Sequence, residues 1–231
     1  RDCLLSRGLG DVYKRQGLLL YNRYETAMRQ NDVRDAQNMM ETIVNSMEQY
    51  LKSMRQISDT ANYNVIQALD ISSPEFNQEL SLLYDSNKDK IQSIALYDME
   101  GELLVAEPVT LQKEGVEVSR QSWFENAKAK IENMHFSTPH MQDLFQDDAK
   151  RYHWVISLSR AVELTSNGNS TLGVLLVDMN YSSIEQLFNK ANTDNSSEYV
   201  YLMDSDGEII YHPKQKLIYT NLYAVSYTHL T

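Results

Sequence analysis

Asp178 closes the run "LGVLLVD", Leu172 to Asp178, a stretch apolar on both alternating faces. A carboxylate at the end of such a strand loses water unless an amine, a guanidinium or backbone N–H groups replace it. Three arrangements satisfy that need: an ion pair with Arg160, a cap on the following helix, or an amine-bearing ligand. A small-molecule pocket also needs apolar walls with a few convergent polar groups. The aromatic candidates are Trp123 and Phe124 in one segment, and Tyr152 and Trp154 at the start of another. The charged candidates are Arg120, Arg160 and Asp178. Along "HWVISLSRAVE", Trp154, Ile156, Leu158 and Arg160 share a face by the period of two. That puts Trp154 and Arg160 together, either as a pocket wall or as a core face whose arginine reaches out to water.

Chemistry of the catalytic kind finds no support. Of the five histidines, His135, His140, His153, His212 and His229, none forms a helical metal pair. His135 and His140 flank a strand start and read as surface or turn residues. "DSDGE", Asp204 to Glu208, resembles part of a calcium loop, but the remaining ligands are missing at the required spacing. No nucleophile elbow and no glycine-rich phosphate loop occurs. The expectation is a non-enzyme with no catalytic residue, no metal ligand and no cofactor.

The elements that must position the candidates follow from periodicity. From Asp32 to about Leu69, Val33, Ala36, Met40, Ile43, Met47, Leu51, Met54, Ile57, Ala61 and Val65 recur at steps of three or four. This predicts one helix of about 50 Å at 1.5 Å per residue, with Met39, Met40, Met47 and Met54 as packing residues. Pro74, after Ser72 and Ser73, predicts the first turn of a second helix over 74–87. "LYDMEGELL", Leu96 to Leu104, has a near twin in "LMDSDGEII", Leu202 to Ile210. Both read as hairpins, with Gly101 supplying positive φ and Asp98 bonding the turn backbone in the first. Between them lie a helix in "SRQSWFENAKAKIE" opened by Ser119 or Ser122, and strands in "FSTPHMQDLF", "HWVISLSRAVEL" and "TLGVLLVDMNY". "SSIEQLFNKA" adds a helix in which Ser182 and Glu185 have capping-box spacing. Antiparallel strands with helices inserted on one side make an α+β module. The repeated hairpin marks the start of a second one.

Composition agrees with a globular, soluble domain. The 231 residues are 42% hydrophobic, and a net charge of -11 without any Lys/Arg block argues against nucleic acid and anionic membrane surfaces. "RDCLLSRGLGDVYKRQ" (1–16) and "VSYTHLT" (225–231) carry no sustained period and resemble translated adapter read-through. The first of them holds the sole cysteine, Cys3. The expected organisation is therefore 17–31 as the end of a transmembrane helix and juxtamembrane segment, and 32–87 as long and short helices. A membrane-distal module follows over 88–192, and a truncated membrane-proximal module begins over 193–224.

"IQSIALYDMEGELLVAEP", "WFENA", "HWVISLSRAVE", "TLGVLLVDMNYSSIEQLF" and "YVYLMDSDGEIIYHP" together resemble the double Cache sensor domain. The likeness covers about residues 25–219. It is greatest to the extracytoplasmic sensors of two-component histidine kinases. The resemblance implies a long helix leaving a membrane span, two PAS-like modules hung on it, and a small-molecule ligand in the distal one. It also implies a homodimer in the cell membrane with this domain outside, feeding a histidine kinase. A chemoreceptor differs only downstream. A cytosolic PAS-like dimerisation module is the alternative of another class, and an apolar span before Gly17 would exclude it. Cache domains that bind amino acids carry an Arg, one residue, then Trp-Tyr, with a Tyr five before the Arg and an Asp on a later strand. Arg120, Trp123, Phe124 and Asp178 approximate that pattern. Two residues separate Arg120 from Trp123, Phe124 replaces the Tyr, and Gly115 stands at the upstream Tyr position. The ligand is left at the level of a small molecule.

Overall fold

The structure is a computed structural model that describes residues 34–35, 37–146, 153–189, 201–203 and 209–219. The chain separates into two compact units, Arg1–Ser46 and Met47–Thr231. In the first unit, residues 37–46 are helical. The hydroxyls of Thr42 and Ser46 donate to the carbonyls of Asn38 and Thr42, four residues back, at 2.9 and 2.8 Å.

The second unit begins with helix α1, residues 47–60, which passes into a π-helical turn, Ala61–Ile66. Its buried stripe is Met54, Ile57, Ser58, Ala61, Asn62, Val65 and Ile66, the helical spacing expected of a core-facing side. The methionines divide. Met54 is fully buried, whereas Met39 and Met40 are exposed, so they do not form the packing stripe expected of them. Helix α2, Pro74–Asp85, starts where Pro74 required. Ser73 is its N-cap, with Oγ accepting from the Phe76 amide at 3.2 Å.

Strands β1 (Ile91–Asp98) and β2 (Leu103–Glu107) form the first hairpin. Gly101 has φ 94°, and Asp98 Oδ1 accepts from the amides of Glu100 and Glu102 at 3.0 and 2.8 Å. A 3₁₀ turn, Val118–Arg120, leads into α3, Ser122–Ala129. Gln121 is the N-cap and makes no side-chain cap bond, so neither Ser119 nor Ser122 opens the helix as a cap. "FSTPHMQDLF" contributes two short strands instead of one, β3 (His135–Phe136) and β4 (His140–Met141), split around Pro139. The long strands β5 (Trp154–Ser166) and β6 (Asn169–Asn180) meet at Asn167 and Gly168, whose φ values of 49° and 76° suit a tight hairpin turn. Asp70 holds that turn, accepting from the Gly168 and Asn167 amides at 2.9 and 3.2 Å. These backbone donors pull its carboxyl below the ordinary value.

The sheet order is β2-β1-β6-β5-β3, all antiparallel, with β4 also pairing β5. One face packs on α3 through Ala95, Tyr97, Val174 and Leu176 against Trp123, Phe124 and Ala127. The opposite face carries Arg160, which reaches Asp59 on α1. Helix α4, Ser182–Asn189, follows β6. Ser182 is its first residue and not its cap: the Tyr181 carbonyl accepts from the Ile184 and Glu185 amides, and the Asn180 carboxamide oxygen accepts from the Ser182 amide at 3.0 Å in the turn before it. The second hairpin pairs β7 (Leu202–Met203) with β8 (Ile209–Tyr211) in a separate two-stranded sheet, and α5 (Gln215–Tyr219) follows. Its turn, Asp204 to Glu208, lies outside the described residues. Among the described residues no helix is long and apolar enough to cross a membrane. The architecture is the expected α+β arrangement.

Candidate functional site

The N-terminal turn of α3, the β3–β4 connection and the end of β6 enclose a cavity of about 280 Å³. Gln121, Ser122 and Trp123 enter from α3. Ser137 and Thr138 enter from the β3–β4 connection, His140 from β4, Asp143 from beyond β4, and Asp178 from β6. Cross-strand register explains the floor. Ser93, Ser157 and Asp178 lie side by side, because Asp178 is opposite Ser93 on β1 and Ser157 on β5. Both serines turn to the α3 face by the same alternation that turns Arg160 away.

Asp178 is only 1% exposed, so its carboxylate depends on protein donors. Ser93 Oγ donates to Oδ2 at 2.8 Å and Ser157 Oγ donates to Oδ1 at 2.5 Å. Burial pushes the Asp178 carboxyl above the ordinary carboxylate value. The two serine bonds and His140 oppose this, and Asp143 adds to it.

A chain of groups continues from Ser157. His140 Nδ1 lies 2.9 Å from the Thr138 carbonyl and 3.2 Å from Ser137 Oγ. Its other nitrogen, Nε2, lies 3.3 Å from Ser157 Oγ. Asp178, Ser157 and His140 thus form one buried polar chain running from the cavity floor to the β3–β4 connection.

Behind the cavity, the Tyr97 ring meets Trp123 at 5.6 Å between centroids. Its hydroxyl is fully buried and has no hydrogen-bond partner among the described residues. Burial, and secondarily the charge of Asp178, raises this phenol well above its usual value. An unpaired buried hydroxyl costs roughly 1–3 kcal/mol.

The structure brings together two of the seven sequence candidates, Trp123 and Asp178. Phe124 is fully buried in the core beneath, and edge-to-face against Trp123. Arg120 does not enter the cavity. Its side chain is 80% exposed and its Nε donates to Glu117 at 2.7 Å. One residue of helical advance brings Gln121 to the cavity in its place. Trp154 and Arg160 do share a face, but it is the α1 face. Trp154 packs on Tyr181, and Arg160 pairs with Asp59 at 2.7 Å and covers the Tyr63 ring. Arg160 therefore does not pair with Asp178. Tyr152 and His229 lie outside the described residues.

Sequence reasoning missed Gln121, Ser93, Ser157 and His140. The signal for the serines was available. Each interrupts an otherwise apolar strand at a position that the alternation aligns with Asp178. His140, read as a surface residue, faces the cavity.

No curated protein sequence matches the chain significantly. Among solved structures, the ligand-binding domain of the amino acid chemoreceptor PctC of Pseudomonas aeruginosa PAO1, in complex with GABA, superposes with a TM-score of 0.56 at 20% identity. The match covers 76% of this chain and 72% of that one. The domain of the Pseudomonas fluorescens chemoreceptor CtaA, in complex with L-valine, gives 0.54 at 17% identity, over 78% and 74% of the two chains. The domain of PctB from Pseudomonas aeruginosa PAO1, in complex with L-Gln, gives 0.55 at 18%, over 78% and 67%. These likenesses concern the fold. The Cache domain family model matches residues 22–229, nearly the whole chain, and on that match the chain belongs to the Cache family of ligand-sensing domains.

Proposed function

We propose that this chain is the extracytoplasmic sensing domain of a membrane-bound histidine kinase, and that its ligand is a small molecule seated in the cavity between α3 and the sheet. The observation that carries the reading is the two-sided use of one strand. Ser157 on β5 bonds Asp178 in the cavity floor, and Arg160, three residues on, pairs with Asp59 on α1. A ligand that shifts the register or twist of β5 therefore moves a charge anchored on the helix. Such a displacement changes the balance between two output states when the ligand binds one of them better. Tyr181, next after β6, donates to the Ile210 carbonyl at 3.0 Å, giving the second sheet a contact with the same strand end.

Three of the compared domains belong to chemoreceptors, which supports a second reading with the same sensing step and a different output. The downstream coding sequence decides between them. A further membrane span followed by a kinase core supports the first reading, and a methyl-accepting coiled coil the second. A soluble continuation with no further span overturns both. The sensing step has its own test. A metabolite library is screened by thermal shift on the chain, alongside Trp123→Ala. Hits that the variant loses support the cavity as the site; hits that it keeps unchanged overturn it.

A further inference from the structure

Resting on the reading of this cavity as the sensory site, we propose that its ligand is a small organic amine without a carboxylate group, and that Gln121 sets this preference. Two carboxylates line the cavity, Asp178 at its floor and Asp143 at its rim, and among the described residues no Lys or Arg does. The nearby guanidiniums are committed elsewhere. Arg120 turns outward to Glu117, and Arg160 is paired with Asp59 on the far face of the sheet. At the α3 entrance stands Gln121, whose carboxamide is neutral and holds a carboxylate far less firmly than a guanidinium fork does.

The rest of the lining suits a cation. Each Asp178 oxygen accepts one serine hydroxyl and retains a lone pair for an ammonium N–H. Trp123 offers an aromatic face beside it, and a cation placed over such a face is attracted by the ring quadrupole. A zwitterionic amino acid would gain the ammonium contact. It would also set its carboxylate near two others with no Lys or Arg among the described lining residues, and this like-charge juxtaposition discriminates against it.

The test uses matched pairs that differ by one carboxylate: isobutylamine against L-valine and putrescine against L-ornithine. Each is titrated calorimetrically into the chain at fixed pH and ionic strength. At least one amine should bind tenfold or more tighter than its amino acid. Asp178→Asn should abolish that binding, and Gln121→Arg should shrink the preference by at least tenfold through gain of the amino acid. Asp143→Asn, at an exposed position that does not threaten folding, should weaken the amine several-fold. Amino acids binding as tightly as the amines would overturn the ligand class. If that binding is lost in Trp123→Ala, the sensory-site reading survives. Amine binding indifferent to Asp178→Asn, Asp143→Asn and Trp123→Ala would overturn both.

Discussion

The Arg160 guanidinium on β5 donates from Nη1 to Asp59 Oδ1 on α1 at 2.7 Å, and its Cζ lies 5.8 Å from the centre of the Tyr63 ring. The Arg160 side chain is 13% exposed and that of Asp59 41%, so the pair is partly screened by water. Truncating the arginine removes one ion pair and one ring contact, worth together about 1–2 kcal/mol after that discount. For a domain of this size, Arg160→Ala should lower the melting temperature by about 2–8 °C. The loss should shrink at high salt. A variant melting with the parent at every salt concentration would show that the pair carries no load between sheet and helix.

Asp178 makes stability depend on pH in a definite direction. Its folded carboxyl is raised above the unfolded value of 3.8, with burial as the main cause. A group shifted this way stabilises fully below the unfolded value, and that contribution is lost as pH rises through the folded value. The groups facing it are Ser93, Ser157, His140, Asp143 and Tyr97. Asp178→Asn keeps a polar group able to bond the serines and removes the titration. The melting temperature of the parent, measured against that of Asp178→Asn, should therefore decline as pH rises above about 4. Parallel curves for the two proteins would contradict a raised carboxyl.

Ser157 connects Asp178 to His140, and its removal should be felt at both ends. Ser157→Ala withdraws a bond that lowers the Asp178 carboxyl and leaves His140 Nε2 without this neighbour. The Asp178 titration, followed by carboxyl carbon resonances, should move to higher pH than in the parent. Stability should fall by about 1–2 kcal/mol. Ser93→Ala should shift the same resonance in the same direction. A Ser157→Ala spectrum with Asp178 unmoved would show that the Ser157 hydroxyl does not hold the Asp178 carboxyl down.

Gly173 on β6 lies opposite Asp98 on β1. A Cβ there would lie 2.5 Å from Leu164 Cδ2 and 2.6 Å from the Tyr97 carbonyl oxygen. The leucine end can move, but the backbone carbonyl belongs to the β1–β6 ladder. Gly173→Ala should cost about 1–3 kcal/mol in denaturant unfolding, the range for overpacking a tight core. Because Tyr97 backs the cavity, ligand affinity should fall as well. An unchanged unfolding midpoint would show that the strand separates freely at this point.

Local chemistry was sufficient to write down the elements. The turn at Gly101 with Asp98 bonding it, the Asn167–Gly168 hairpin and the Ser73–Pro74 helix start each depend on neighbours within four residues, and all stand where the residues call for them. Strand alternation was equally legible: Trp154 shares a face with Arg160. Which face looked toward a ligand was not. β5 is covered on both sides, so apolar residues occur on both, and periodicity carries no sign to distinguish α1 from α3. The same limit governs Arg120 and Gln121. Successive residues at a helix start point about 100° apart, so the exact residue of entry decides which one meets the cavity. That residue is chosen by the packing of Trp123 and Phe124 on the sheet, a long-range contact that no short stretch of chain encodes. The chain thus wrote its hairpin turns and strand alternation locally, whereas the assembled sheet selected Asp178, Ser157, Gln121 and His140 as neighbours, because only close packing of distant segments sets which buried polar groups must satisfy one another.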